Sequence, residues 1–267
     1  MLRVESVSEK PAEHAPRRLH FLYHELRVGG SDYSYVLDRD EFDRHVNLFV
    51  QIRQAAGSEV WPEVTFDDGH ISNYEYALSA LQSRCLTAHF FITVGWTGNK
   101  PGFMGWQELR SLHESGQMIG AHGWSHSFLT HCTREDLNRE LSGARMILED
   151  KLGTSITTMS LPGGRYNQRV IAACQKAGYT QIYTSIPRAE RDPSGLMVGR
   201  LNIRAGMTLE NIRSLLEPGS SALASLERQY RIKTAAKTLL GDRLYDKLWA
   251  LLNRKEPDSG ADGARSE

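Results

Sequence analysis

The sequence predicts an α/β protein built on a largely parallel sheet, followed by a helical C-terminal extension. Two observations carry this reading. Short apolar, β-branched or aromatic runs alternate with helix-spaced apolar residues between Leu19 and Ile203, the pattern of βαβ units. Beyond Pro218, apolar residues recur every fourth position at Ile232, Ala236, Leu240, Leu244, Leu248 and Leu252. The 267 residues suffice for one barrel-sized domain or two smaller ones.

Residues 1–17 mix acids, bases and prolines and read as a disordered leader, without the apolar run of a secretion signal. Residues 19–26 read as a strand that carries His24 near its end and is closed by Gly29 and Gly30. The spacing of Phe42, Val46, Leu48, Phe49 and Ile52 predicts an amphipathic helix over 38–56, with Asp38 as its cap. A strand over 63–66, a helix over 73–83 and a buried strand over 87–94 follow; His89, inside the latter run, suits packing or hydrogen bonding. Next come a helix from Trp106 broken at Gly116, a strand over 118–121, and a long helix over 134–152 between a Thr133 cap and Gly153. Strands over 157–161, 180–184 and 198–203 and a helix over 168–177 complete the alternation. A helix over 208–217 and a linker at Pro218-Gly219-Ser220-Ser221 lead into the tail.

Formal net charge is zero, so no global field points to nucleic acid or to an acidic polymer. Cys85, Cys132 and Cys174 are odd in number and far apart, which suits a reducing compartment and argues against a disulfide framework. No window of the chain is apolar enough to span a bilayer, and the cytoplasm is the expected location. Residues 228–255 hold eight bases against two acids. Their basic amphipathic pattern, hinged near Gly241, suits docking on the main domain, a peripheral membrane surface or a partner enzyme. Past Glu256 the composition reads as disorder.

Two stretches carry the chemistry. Thr65-Phe66-Asp67-Asp68-Gly69 ends an apolar run with adjacent carboxylates, which repel unless a cation neutralises one of them. Ile119-Gly120-Ala121-His122-Gly123-Trp124-Ser125-His126 places two imidazoles four residues apart. With one aspartate they form a His, His, carboxylate set that leaves coordination positions open, as catalytic metal sites do. In parallel sheets chemistry gathers at the carboxyl ends of strands, where Asp67, Asp68, His122 and Gly163 all fall.

These stretches, the Trp106-Gln107-Glu108-Leu109 helix and the Pro162-Gly163-Gly164 turn resemble, in order and spacing, the polysaccharide deacetylase (NodB-homology) family of carbohydrate esterases. The resemblance runs from about Leu19 to about Ile203. It implies a distorted (β/α)7 barrel over 18–206, with the tail at 207–255, holding one divalent metal, most often zinc. Carried over by position, it implies Asp68, His122 and His126 as metal ligands, Asp67 as general base and the Gly163 N–H as an oxyanion donor.

The chain departs from the family pattern twice. Met159-Ser160-Leu161-Pro162-Gly163 lacks the arginine that orients the base in many members, and Arg165 lies beyond the turn. No histidine follows His131, so the late Leu-x-His motif is absent, yet Leu22-Tyr23-His24 repeats its form at the other end of the chain. This resembles the permuted poly-N-acetylglucosamine deacetylases and implies His24 as the general acid. Trp124 and Tyr166 are placed near the rim to stack on sugar rings. The implied activity is removal of N-acetyl groups from an N-acetylated glycan; the alternatives are a small-amide hydrolase of the same fold, a sugar-binding homologue without turnover, or a structural partner acting through its tail.

Overall fold

The computed structural model describes residues 16–240 apart from Gly30, Asp32 and Pro193. The expected leader up to residue 15, the second half of the basic tail and the terminal segment lie outside the described residues. In chain order the elements are β1 (Arg17–Tyr23), β2 (Glu25–Arg27), β3 (Val36–Asp38), α1 (Arg39–Gln54), β4 (Val60–Phe66), α2 (Leu78–Gln82), β5 (Ala88–Ile92), α3 (Trp106–Glu114) and β6 (Met118–Ala121). They continue with α4 (Arg134–Asn138), α5 (Ala144–Leu152), β7 (Thr158–Ser160), α6 (Gln168–Lys176), β8 (Gln181–Tyr183), β9 (Met197–Val198), β10 (Arg200–Asn202), α7 (Leu209–Leu216) and α8 (Ala222–Leu240).

Eight strands form one sheet in the order β10-β1-β4-β5-β6-β7-β8-β9, every named pair parallel. Its two ends belong to one piece of chain. β9 pairs with β8 and β10 pairs with β1, and only Gly199 separates them. A single strand expected over 198–203 is therefore two, for a steric reason. A Cβ at Gly199 would stand 2.7 Å from the Ile186 carbonyl oxygen and 2.9 Å from that of Arg188, so the strand bends where another segment crosses it. Counting this bent segment once gives seven strands around the sheet, in keeping with the expected arrangement.

The strand alternation sorts side chains onto two faces. Outward residues pack beneath the helices: Phe21 stacks on Phe49 with ring centroids 4.8 Å apart, and Tyr23 meets Phe42 edge-on at 5.1 Å. Inward residues from opposite parts of the sheet touch one another. Tyr183 of β8 lies 5.5 Å from His20 of β1 and 5.3 Å from His89 of β5, and Thr158 of β7 hydrogen-bonds His89 Nε2 at 2.8 Å. The sheet thus curls around an interior that is aromatic and polar, and His89 has the packing and hydrogen-bonding role its run suggested.

Local signals in the sequence account for most helix ends. Asp38 accepts from the amides of Asp40 and Glu41 at the start of α1, Thr133 caps α4, and Gly153 ends α5 at φ 66°. The long helix over 134–152 is continuous but contains a π turn at Arg139–Gly143, which periodicity did not show. A second π turn, Asn73–Ala77, opens the helix after the acid pair. The short parallel pair β2–β3 was also unforeseen. α7 matches expectation, and α8 starts at Ala222, earlier than the charge pattern implied.

His89 and His45 are among the histidines that burial keeps neutral. Burial lowers His89 to about 3, and it lowers His45 to about 4 against the opposing charge of Glu41, both from 6.5. Because the unfolded chain then binds more protons below pH 6.5, their contribution is fully present above that pH and is lost as pH falls towards the folded values. At pH 5 the loss is roughly 2 kcal/mol per group. Urea unfolding of the metal-free protein is expected to give one midpoint from pH 7 to 8 and a lower one at pH 5, with a shallower slope in His89→Gln.

Candidate metal and catalytic site

The site forms where neighbouring parallel strands end on one rim. β4 leads into Asp67 and Asp68, β6 into His122, and β7 ends on Ser160. Backbone bonds fix these ends: the Asp67 amide donates to the Tyr23 carbonyl (3.0 Å), that of Thr93 to the Asp68 carbonyl (3.3 Å), and that of His122 to the Ile92 carbonyl (2.8 Å).

Asp68, His122 and His126 each bring one ligand atom into a group lying within 4.8 Å of one another. Asp68 Oδ1 stands 3.3 Å from Nε2 of both histidines. That oxygen is buried and lacks a well-formed hydrogen bond. A carboxylate oxygen left in this state between two imidazole nitrogens fits a cation, and the N, N, O donor set suits a divalent one. His122 is turned for the task, since its Nδ1–H donates to the Ser160 carbonyl at 2.9 Å and leaves Nε2 free to ligate.

Two of the three candidate ligands adopt left-handed backbone, Asp68 at φ 74° and His126 at φ 63°. Non-glycine residues enter this region at a cost of order 1–3 kcal/mol, Asp and His more readily than most. Charge is equally constrained. Burial lowers the His126 pKa, reinforced by the charge of His122, whereas Asp67 and Asp68 overcome burial to raise that of His122.

Asp67 is held by a residue that the sequence reading missed. Arg200, fully buried on β10, places Nη1 2.7 Å from Asp67 Oδ1 and Nη2 2.9 Å from Oδ2. Its remaining N–H groups reach the Thr184 carbonyl (3.1 Å), the Thr65 hydroxyl (3.5 Å) and the Ser160 hydroxyl (2.7 Å), so all five donors are used. Ser160 Oγ in turn donates to Asp67 Oδ2 at 2.9 Å. Burial would raise the Asp67 pKa, but the charge of Arg200, then that of His122, holds it well below the usual carboxylate range. The serine standing in the expected arginine's stretch thus joins a guanidinium supplied from across the sheet. Arg165 is elsewhere, over the Phe128 ring at 4.5 Å. The available signal was a lone arginine in the inward register of the last strand, two residues from Asn202.

His24 follows β1, its carbonyl gripped by the Asn73 side chain at 2.7 Å and its ring 5.1 Å from that of Tyr35. Burial lowers its pKa, opposed by the charges of Asp68 and Asp67, which places it beside the acid pair electrostatically. Gly163 is exposed at φ 62°, and a Cβ there would meet Phe128 at 2.4 Å, so only glycine fits. Tyr166 is exposed beyond the turn. Trp124 is half-buried against the core, with the Arg139 guanidinium 5.0 Å from its ring. Tyr183 is buried inside the sheet.

Comparison with known proteins agrees with this geometry. Residues 59–182 match the family described as polysaccharide deacetylase. The Bacillus subtilis protein YxkH is 27% identical over 146 residues, 54% of this chain and 52% of that protein. Chitin deacetylase 1 of Cryptococcus neoformans is 28% identical over 131 residues, 49% of this chain and 27% of that protein. The chain therefore spans about half the length of one of these relatives and about a quarter of the other. The Streptococcus pyogenes deacetylase PplD, solved in complex with acetate, superposes with a TM-score of 0.67 at 18% identity, covering 76% of this chain and all of that one. The family match includes Asp67, Asp68, His122 and His126, and the Streptococcus pyogenes structure shares the fold.

Proposed function

We propose that the protein removes N-acetyl groups from an N-acetylated sugar or polysaccharide, using a divalent metal, most suitably zinc, held by Asp68, His122 and His126. The observation that carries this reading is the pairing of that N, N, O set with a neighbouring carboxylate, Asp67, that Arg200 and Ser160 keep ionised and fixed in direction. When bound, the cation supplies a water that ionises near neutral pH and a Lewis acid for the acetyl carbonyl.

The protein's own groups supply the rest. Asp67 accepts the proton of the attacking water. Its lowered pKa makes it a weak base, so what Arg200 contributes is orientation and constant charge rather than basicity. Gly163 is an exposed residue, and its N–H serves the oxyanion. Burial lowers the His24 pKa against the charges of Asp68 and Asp67, so its donation to the departing nitrogen draws on a proton taken up beside those carboxylates. A histidine directly after the first strand, His24, favours the permuted poly-N-acetylglucosamine type. Tyr166 offers an exposed ring for a sugar face.

Acetate release from chitin oligosaccharides and related N-acetylated glycans, with and without a chelator, tests the reading; no release from any of them by metal-loaded protein would refute it. Asp68→Ala and His122→Ala are expected to lose metal and activity together. Asp67→Asn should keep its metal by elemental analysis while turnover drops by about 10²-fold or more. His24→Ala is expected to slow the reaction with metal retained. Arg200→Ala leaves the buried Asp67 carboxylate unpaired and should lower stability by about 3–5 kcal/mol in chemical unfolding. Arg200→Lys, which keeps the charge but not the fork, should recover stability more than kcat.

A further inference from the structure

The segment joining the two histidine ligands is held from behind by a group with no part in the reaction. Glu140 lies in the π turn between α4 and α5 and is 5% exposed. Its carboxylate accepts the Trp124 amide at 2.7 Å on Oε2, the Ser125 amide at 3.0 Å on Oε2 and 3.2 Å on Oε1, and the Ser125 hydroxyl at 2.5 Å on Oε1. All these donors belong to the dipeptide immediately before His126. Oε2 also fills the space beside Gly123, where a Cβ would stand 2.8 Å from it, and Gly123 is at φ 81°.

The same segment is secured on its other side by backbone. The amides of Val94 and Gly95, just past β5, donate to the carbonyls of Gly123 (3.1 Å) and Trp124 (2.7 Å). A Cβ on Gly95 would come within 2.6 Å of the Trp124 oxygen, so this approach depends on glycine. Two constraints meet on three residues, Gly123, Trp124 and Ser125, and the chain leaves them at His126 in the left-handed conformation. No cation among the described residues forms an ion pair with Glu140, so its buried charge is balanced only by these donors. The charge is tolerated only while the segment keeps this shape.

We infer that Glu140 is a positioning residue for the metal centre: by binding the Trp124-Ser125 backbone it fixes the left-handed turn that aims His126 Nε2 at Asp68 Oδ1. The inference rests on the metal site proposed above. It assigns Glu140 no contact with metal or substrate. The π turn gives it a physical basis, because the extra residue in the helix resets which side chain faces the loop.

Zinc affinity of the folded protein, measured by competition with a chromophoric chelator, tests this. Glu140→Gln keeps size but replaces one acceptor oxygen with a donor facing backbone N–H groups. Its zinc affinity is expected to fall about 10- to 100-fold, the effect typical of groups that orient ligands. Glu108→Gln is the control: Glu108 likewise accepts a backbone amide, that of Gly105 at 2.8 Å, but at the start of α3 and not in the segment that joins the two histidines. It should lose stability without losing affinity. Unchanged affinity in Glu140→Gln, or an equal fall in Glu108→Gln, overturns the inference. Should Glu140→Gln not fold, Ser125→Ala removes one of the four contacts to Glu140, together with the bond to Ser127 Oγ, and is expected to weaken zinc binding less, with unchanged affinity counting against the inference. Hydrogen exchange at the Trp124 and Ser125 amides separates the two readings. Slow exchange in wild type that becomes fast in the variant supports the clamp even if wild type binds no zinc, an outcome that would remove the metal reading alone; equal exchange in both removes the clamp.

Discussion

The bidentate contact between Arg200 and Asp67 is the constraint on which the rest of the site depends. Both groups are buried, and an unpaired charge at that depth would cost several kcal/mol. The arrangement is tolerable because each donor of the guanidinium and each oxygen of the carboxylate is used, with Ser160 and Thr65 completing the set. It also ties together strands that are distant in sequence. β4, β7 and β10 must hold their registers for these side chains to meet, so the sheet's strand order and the site's electrostatics are one condition.

Ser160 links this pair to the candidate metal ligands. Its hydroxyl completes the Asp67 network while its carbonyl orients His122 through Nδ1. A carboxylate kept ionised and an imidazole kept in one tautomer therefore share one support. Around them the backbone is forced into left-handed geometry at Asp68 and His126. Such conformations persist where surrounding bonds determine them more strongly than local preference does. The amide bonds from Thr93, Val94 and Gly95 and the carboxylate of Glu140 supply that determination.

The interior of the sheet explains why the rim can be so polar. Below Arg200 lie His20, His89 and Tyr183, whose rings pack against one another and exclude water from the guanidinium's flank. Enclosure strengthens the Arg200–Asp67 attraction by lowering the local dielectric. The same enclosure suppresses protonation of His89 and His20, so the column beneath the site stays neutral except for the one pair that is matched.

The alternation of apolar runs and helix-spaced segments was enough to read the parallel α/β class, most element positions and the caps at Asp38, Thr133 and Gly153, because those depend on local sterics and hydrogen bonding. The acid pair and the two histidines were legible for a similar reason: each motif falls at a strand end, and their residue types suit a metal. What the sequence could not show is how far-separated groups meet. Arg200 is 133 positions from Asp67 and carries no motif, and it was found only when the sheet brought β10 beside β1 and turned its inward face onto β4. The π turn that directs Glu140, the bend at Gly199 and the burial of Tyr183 were also decided by packing, since each reflects a neighbour that is remote along the chain.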